Sequence, residues 1–82
     1  MGVTLKNLSS KDIVTILASF GFVVQNQKGS HIKLRRNSGV GKETLVVAER
    51  KQIPKGTLRA IFRQAARYIS EAELRPHFYT KN

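Results

Sequence analysis

The sequence predicts an α+β domain of order α-β-β-β-α: a three-stranded antiparallel sheet with both helices on one of its faces. Three observations carry this. Two segments, near residues 10–20 and 55–69, repeat apolar residues at helical spacing. Between them lie three short runs of strand character, separated by glycine-containing turns. Each helix and the sheet has only one apolar face, so both helices must cover the same side of the sheet. At 82 residues the chain makes one domain, 1–82. Its core is expected at about 8–70, followed by a short turn and tail from 70 to 82.

The elements follow in order. Ser9-Ser10-Lys11-Asp12 has the form of a capping box, with Asp in place of the usual Glu. Leu8 and Ile13 stand where a hydrophobic staple would form, and Ile13, Ile16, Leu17 and Phe20 make the apolar face. Gly21 is placed to end the helix in a left-handed conformation. Phe22 to Gln27 reads as the first strand, and Lys28-Gly29 as a hairpin turn. The second strand is Gly29-Ser30-His31-Ile32-Lys33-Leu34-Arg35-Arg36. Its parity turns Ile32 and Leu34 toward the core and His31, Lys33 and Arg35 away from it. Asn37 to Lys42 is a polar loop, Glu43 to Ala48 the third strand, and Glu49 to Ile53 a polar, basic connection. The second helix starts between Pro54 and Thr57, with Thr57 able to cap. Leu58, Ile61, Phe62, Ala65 and Ile69 form its apolar stripe, with Arg59, Arg63 and Arg67 beside it. Ser70-Glu71-Ala72-Glu73 is a second capping box opening one short turn, which Pro76 ends, and Phe78-Tyr79 tucks back onto the core.

Charge is the strongest global signal: fifteen Lys and Arg against five acids, a formal +10. That predicts attraction to a polyanion. The basic residues are spread over strands and loops as well as helices, which argues against a membrane-surface helix. There are no cysteines, so neither disulfides nor thiolate zinc ligands support the fold. The chain begins without a charged leader and apolar h-region, and no apolar run nears the ~18 residues of a membrane span. A cytoplasmic protein is expected. Two histidines and five scattered acids do not make a metal cluster, and no cofactor is expected. Ser30 and His31 point to opposite faces and cannot form a triad. Gly39-Val40-Gly41-Lys42 is better read as a hairpin loop than as part of a phosphate loop.

The predicted layout resembles that of double-stranded-RNA-binding domains, which read RNA by shape and phosphate contacts. Three pieces together resemble the HicA family of bacterial mRNA-interferase toxins. They are Phe20-Gly21-Phe22, Gly29-Ser30-His31, and Pro54 to Ile61 followed by Arg63-Gln64-Ala65. The resemblance covers about residues 10–75. It implies a metal-independent ribonuclease acting on mRNA, a catalytic histidine at His31, and neutralisation by a HicB-like antitoxin. Many members carry a second histidine shortly after the third strand. The corresponding Ala48-Glu49-Arg50-Lys51 has none.

His31 by itself is a common kind of exposed strand residue, but it shares its face with Lys33 and Arg35. An imidazole titrates near ~6.5 and can take a proton from a ribose 2′-OH at neutral pH. Lys28, Lys33 and Arg35 are the candidates to stabilise phosphate charge. Lys55, Arg59 and Arg63 are further RNA-binding candidates, against the plain alternative of a solvated helix face. His77, in the tail, is the one other imidazole available as a general acid. The alternative function is a non-catalytic RNA-binding module on the same fold; a third is a pure interaction subunit.

Overall fold

The computed structural model describes residues 3–81. In chain order the elements are β1 (Val3–Leu5), α1 (Ser10–Ser19), β2 (Val23–Lys28), β3 (His31–Ser38), β4 (Gly41–Ala48), α2 (Lys55–Ala65), α3 (Glu71–Phe78) and β5 (Tyr79–Lys81). β2, β3 and β4 form an antiparallel sheet in sequence order. β1 and β5 pair separately as a two-stranded ribbon.

α1 starts and stops as its sequence dictates. The Ser9 hydroxyl accepts the Asp12 N–H at 3.1 Å, and the Asp12 carboxylate accepts the Ser9 N–H at 2.9 Å. These bonds satisfy two donors at the helix start that would otherwise lack partners. They also hold the Asp12 carboxyl below its ordinary range, the Ser9 backbone N–H most and the hydroxyl next. At the other end Gly21 takes φ +94°. The Phe22 N–H reaches Leu17 O and the Gly21 N–H reaches Ala18 O, both at 3.0 Å. This is a Schellman stop, sealed by the buried pair Leu17 and Phe22.

The sheet buries one face. Ile32, Leu34, Leu45 and Val47 are buried and pair across β3 and β4 as Ile32–Val47 and Leu34–Leu45. They join Ile13 and Leu17 of α1 and Leu58, Ile61, Phe62 and Ala65 of α2 in one cluster. The Cα framework is only 17 Å deep in its thinnest direction. That is room for one helix layer on one sheet, at the ~10 Å spacing of packed layers.

Five features depart from the sequence reading. The β3–β4 ladder runs to Ser38–Gly41, so the expected loop of residues 37–42 shrinks to a tight turn at Gly39-Val40. Ser70 makes no side-chain cap, so the second capping box does not form. α3 is a full eight-residue helix with Pro76 inside it rather than one turn ended by that proline. Leu74 and Phe78, four residues apart, are both fully buried and hold it in place. The hydrophobic cluster therefore extends past the expected 8–70 limits, to Leu5 at one end and Phe78 at the other. Thr57 lies inside α2, whose N-cap is Pro54 without a side-chain bond.

Arg36 ties the layers together. It shares the parity of Ile32 and Leu34, so it points toward the core side. Its guanidinium donates to the Glu43 carboxylate at 2.6 Å, to Phe20 O at 2.9 Å and to Tyr68 O at 2.9 Å. It also lies 4.8 Å over the Phe22 ring. One side chain thus clamps β3 to the end of α1 and to the turn after α2.

Candidate nucleic-acid interface

The turn at Gly29-Ser30 delivers His31 to the first position of β3. Gly29 sits at φ +59°, a left-handed conformation that glycine adopts at no steric cost. His31 pairs with Lys28 on β2 and Ala48 on β4. Lys33 pairs with Asn26 and Val46, and Arg35 with Val23 and Thr44. Directly opposed side chains stand ~5 Å apart at Cβ and diagonal neighbours ~7–8 Å. The imidazole therefore has the Lys28 stem beside it and Lys33 one step along the same face. Neighbouring Ile32 and Leu34 are buried while His31 is exposed, so the strand alternates as its sequence requires.

None of His31, Lys28 and Lys33 has a side-chain hydrogen bond or ion pair among the described residues. Both imidazole nitrogens and both ammonium groups thus face solvent uncommitted. Arg35 is half-buried; its Nε is shielded and has no hydrogen-bond partner. Val23 and Val46, 65% and 45% exposed, leave apolar surface between the charges.

The other candidates lie elsewhere. The Lys55 ammonium is occupied within the protein. It donates to Leu5 O at 2.7 Å, Lys6 O at 3.1 Å and Asn7 Oδ1 at 2.9 Å, anchoring the segment after β1. With three donors and three acceptors it has none to spare for a phosphate. Arg59 and Arg63 are exposed on α2, in the helix layer, on the far side of the sheet from His31. Arg63 borders a shallow hollow of about 380 Å³ with Ala60, Gln64 and Arg67. His77 is half-buried on α3 with its ring edge-on to Phe20, 5.4 Å between centroids, so it belongs to the helix layer. The sheet face thus gathers His31, Lys28, Lys33 and Arg35, and does not gather Lys55, Arg59, Arg63 or His77.

Sequence reasoning assigned no role to the segment that leaves β4. The Glu49 N–H donates to Ser30 O at 2.6 Å, and Gln27 Nε2 donates to the Glu49 carboxylate at 2.9 Å. Arg50 and Lys51 follow, so two cations flank the strand end that carries His31. They stand two and three residues past Ala48, the cross-strand partner of His31. Among the described residues no three His, Cys, Asp or Glu side chains stand together as a metal site would require. No helix is long and apolar enough to cross a membrane.

Fold and surface together define a strongly basic two-layer α+β domain with one uncovered sheet face. The family model described as the HicA toxin of bacterial toxin–antitoxin matches residues 10–66, from the start of α1 to the end of α2. The chain belongs to the HicA toxin family. It is accordingly a toxin of a toxin–antitoxin system, with a cognate antitoxin as partner. No curated protein matches the chain.

Proposed function

We propose that this toxin is a metal-independent endoribonuclease that cleaves mRNA with His31 as its essential residue, and that a HicB-like antitoxin neutralises it in the cytoplasm. One observation carries the reading: an exposed, uncommitted imidazole beside Lys28 and Lys33 on the one sheet face that no helix covers. The double-stranded-RNA-binding-like layout fits the same reading.

The neutral imidazole takes the proton of a ribose 2′-OH. That oxygen attacks the adjacent phosphorus, and the bond from phosphorus to the 5′ oxygen breaks. The products are a 2′,3′-cyclic phosphate and a 5′-OH. On the three strands no carboxylic acid or second imidazole shares the His31 face. The departing 5′ oxygen takes its proton from solvent or from a neighbouring ammonium group, Lys28 or Lys33. Lys28, Lys33 and Arg35 stabilise the charge that builds on the phosphate. Arg59 and Arg63 sit too far round the molecule to touch the same phosphate and serve remoter stretches of a long RNA. An antitoxin that covers the sheet face blocks the reaction without altering the toxin.

The test is RNA cleavage by the purified protein and by His31→Ala in the presence of a chelator. A positioned base contributes ~10²–10⁴-fold, so the variant should lose activity by that factor and keep RNA binding. Ends bearing 5′-phosphate, activity abolished by chelator, or equal cleavage by both proteins would overturn the mechanism. Binding without cleavage by either would leave a non-catalytic RNA-binding module.

A further inference from the structure

A groove runs round the His31 end of the sheet. One part, about 550 Å³, is lined by Ser9, Ser10, Lys11, Glu49, Arg50 and Lys51. A second part, about 440 Å³, shares Ser10, Lys11 and Glu49 and continues along α1 to Val24 and Gln27 of β2. We infer that Lys11, Arg50 and Lys51 form a second RNA subsite, which holds the backbone of the single strand running away from the phosphate at His31. The inference rests on the endoribonuclease reading and adds to it the path of the substrate.

Position is the first argument. Ala48 is the direct partner of His31, and Arg50 is two residues further on. Cross-strand neighbours are ~5 Å apart at Cα and an extended chain advances at most ~3.5 Å per residue. The Arg50 Cα therefore lies within about 12 Å of the His31 Cα, a gap that arginine and lysine side chains can bridge. Lys51 is one residue beyond.

Rigidity is the second. The Ser10 hydroxyl, on a buried residue, donates to Arg50 O and accepts from the Arg50 N–H, both at 3.0 Å. The Ser10 N–H reaches Arg50 O at 3.0 Å, and the Ile53 N–H reaches Leu8 O at 2.8 Å. A connection that sequence alone leaves as a loose linker is thus bolted to the start of α1. The ordering of this backbone is complete before any ligand arrives, which lowers the cost of binding.

Charge is the third. Asp12 caps α1 and Glu49 accepts from the neutral Gln27 amide, and both keep their negative charge. Lys11, Arg50 and Lys51 have exposed side chains with no hydrogen bond or ion pair among the described residues. Three cations against the Glu49 carboxylate leave the lining net positive, on the α1 side of the sheet at the end where β3 begins. A polyanionic strand suits it; an acidic protein segment is the competing occupant that the measurement below separates.

The experiment is binding of a labelled single-stranded RNA to His31→Ala protein across a range of salt, alone and with Arg50→Gln and Lys51→Gln added. Each phosphate contact adds ~0.7 to the log–log salt slope for a single strand. The added pair should lower the slope by about 1.4 and weaken binding about 25-fold at about 0.1 M salt. The thermal midpoint should not move, since neither side chain is bonded. Lys42→Gln, at the far hairpin, should leave the slope in place. An unchanged slope for the double change, an equal fall with Lys42→Gln, or no RNA binding at all would overturn the subsite. If the slope falls but wild-type protein never cleaves, the subsite stands and the catalytic reading fails. If cleavage depends on His31 and the slope is flat, the reverse holds.

Discussion

Replacing Arg36 by methionine keeps much of the aliphatic stem and removes the guanidinium. Three acceptors then lose their donor: the Glu43 carboxylate, Phe20 O and Tyr68 O. A hydrogen bond to a charged group contributes ~1.5–3 kcal/mol. The Arg36 side chain is 24% exposed and that of Glu43 13%, so water replaces part of what is lost. Taking about half of the nominal sum gives ~3 kcal/mol. A chain of this size has a total stability of ~4–12 kcal/mol, at ~0.05–0.15 per residue. Arg36→Met should therefore lower the thermal midpoint by ~12–24 °C, at ~4–8 °C per kcal/mol. Urea unfolding followed by circular dichroism measures it, with the midpoint falling and the slope unchanged. Arg36→Lys should recover only part of the loss, because one ammonium cannot reach three acceptors set in different directions. A loss below ~1 kcal/mol for the methionine variant, or full rescue by lysine, would refute the clamp.

Further expectations concern the ends of the molecule. Lys55→Met should destabilise the domain by ~1–3 kcal/mol through three unsatisfied oxygens, yet leave the salt dependence of RNA binding unchanged; a fall in salt slope would restore Lys55 as a phosphate contact. Phe78→Ala should cost ~3–5 kcal/mol, because the ring is fully buried against Phe62 at 5.3 Å, and a chain truncated at Ser70 should fail to unfold cooperatively. Ser9→Ala should cost ~1 kcal/mol of α1 cap. The Asp12 carboxyl is depressed in the folded state, so its contribution is present above the unfolded value near ~3.9 and lost as pH falls through the lower folded one. Thermal melts in acid should show that loss for wild type and a flatter profile for Asp12→Asn. Gly21→Ala should destabilise, because φ is +94° there and the new methyl would stand 3.2 Å from Arg36 Cδ.

What was legible in the sequence is what short-range chemistry controls. The α1 cap and stop are written in consecutive residues, Ser9 to Asp12 and Phe20 to Phe22. The split of β3 into a buried and an exposed face follows from the alternation of His31 to Arg35. Long-range partners were harder to read. Asn37 to Lys42 looks like a loop because it is polar and glycine-rich, but ladder hydrogen bonds accept such residues at a hairpin end. Pro76 reads as a stop, yet in the last turn it forfeits one backbone bond while Leu74 and Phe78 bury fully. Arg36 carries a signal that was missed: a charge on core-facing parity needs a buried partner, and Glu43 is its direct cross-strand neighbour. Lys55 reads as a surface cation because nothing local says that the oxygens of Leu5, Lys6 and Asn7 surround it. His31, Lys33 and Arg35 group by strand parity alone; Lys28, which reads as a turn residue, joins them through its register opposite His31, and Arg50 and Lys51 through the tertiary tie to Ser10.

The short ribbon at the edge of the molecule has a kinetic consequence. Val3 sits opposite Lys81 and Leu5 opposite Tyr79, so this pairing encloses nearly the entire polypeptide. Closing so large a loop costs more entropy than the local hairpins on either side of β3, and it should form after them. The two hairpins can form first, and the ribbon closes together with α3, which runs directly into β5. Joining the ends is thus the closing step of folding, and changes confined to the ribbon should speed unfolding more than they slow folding.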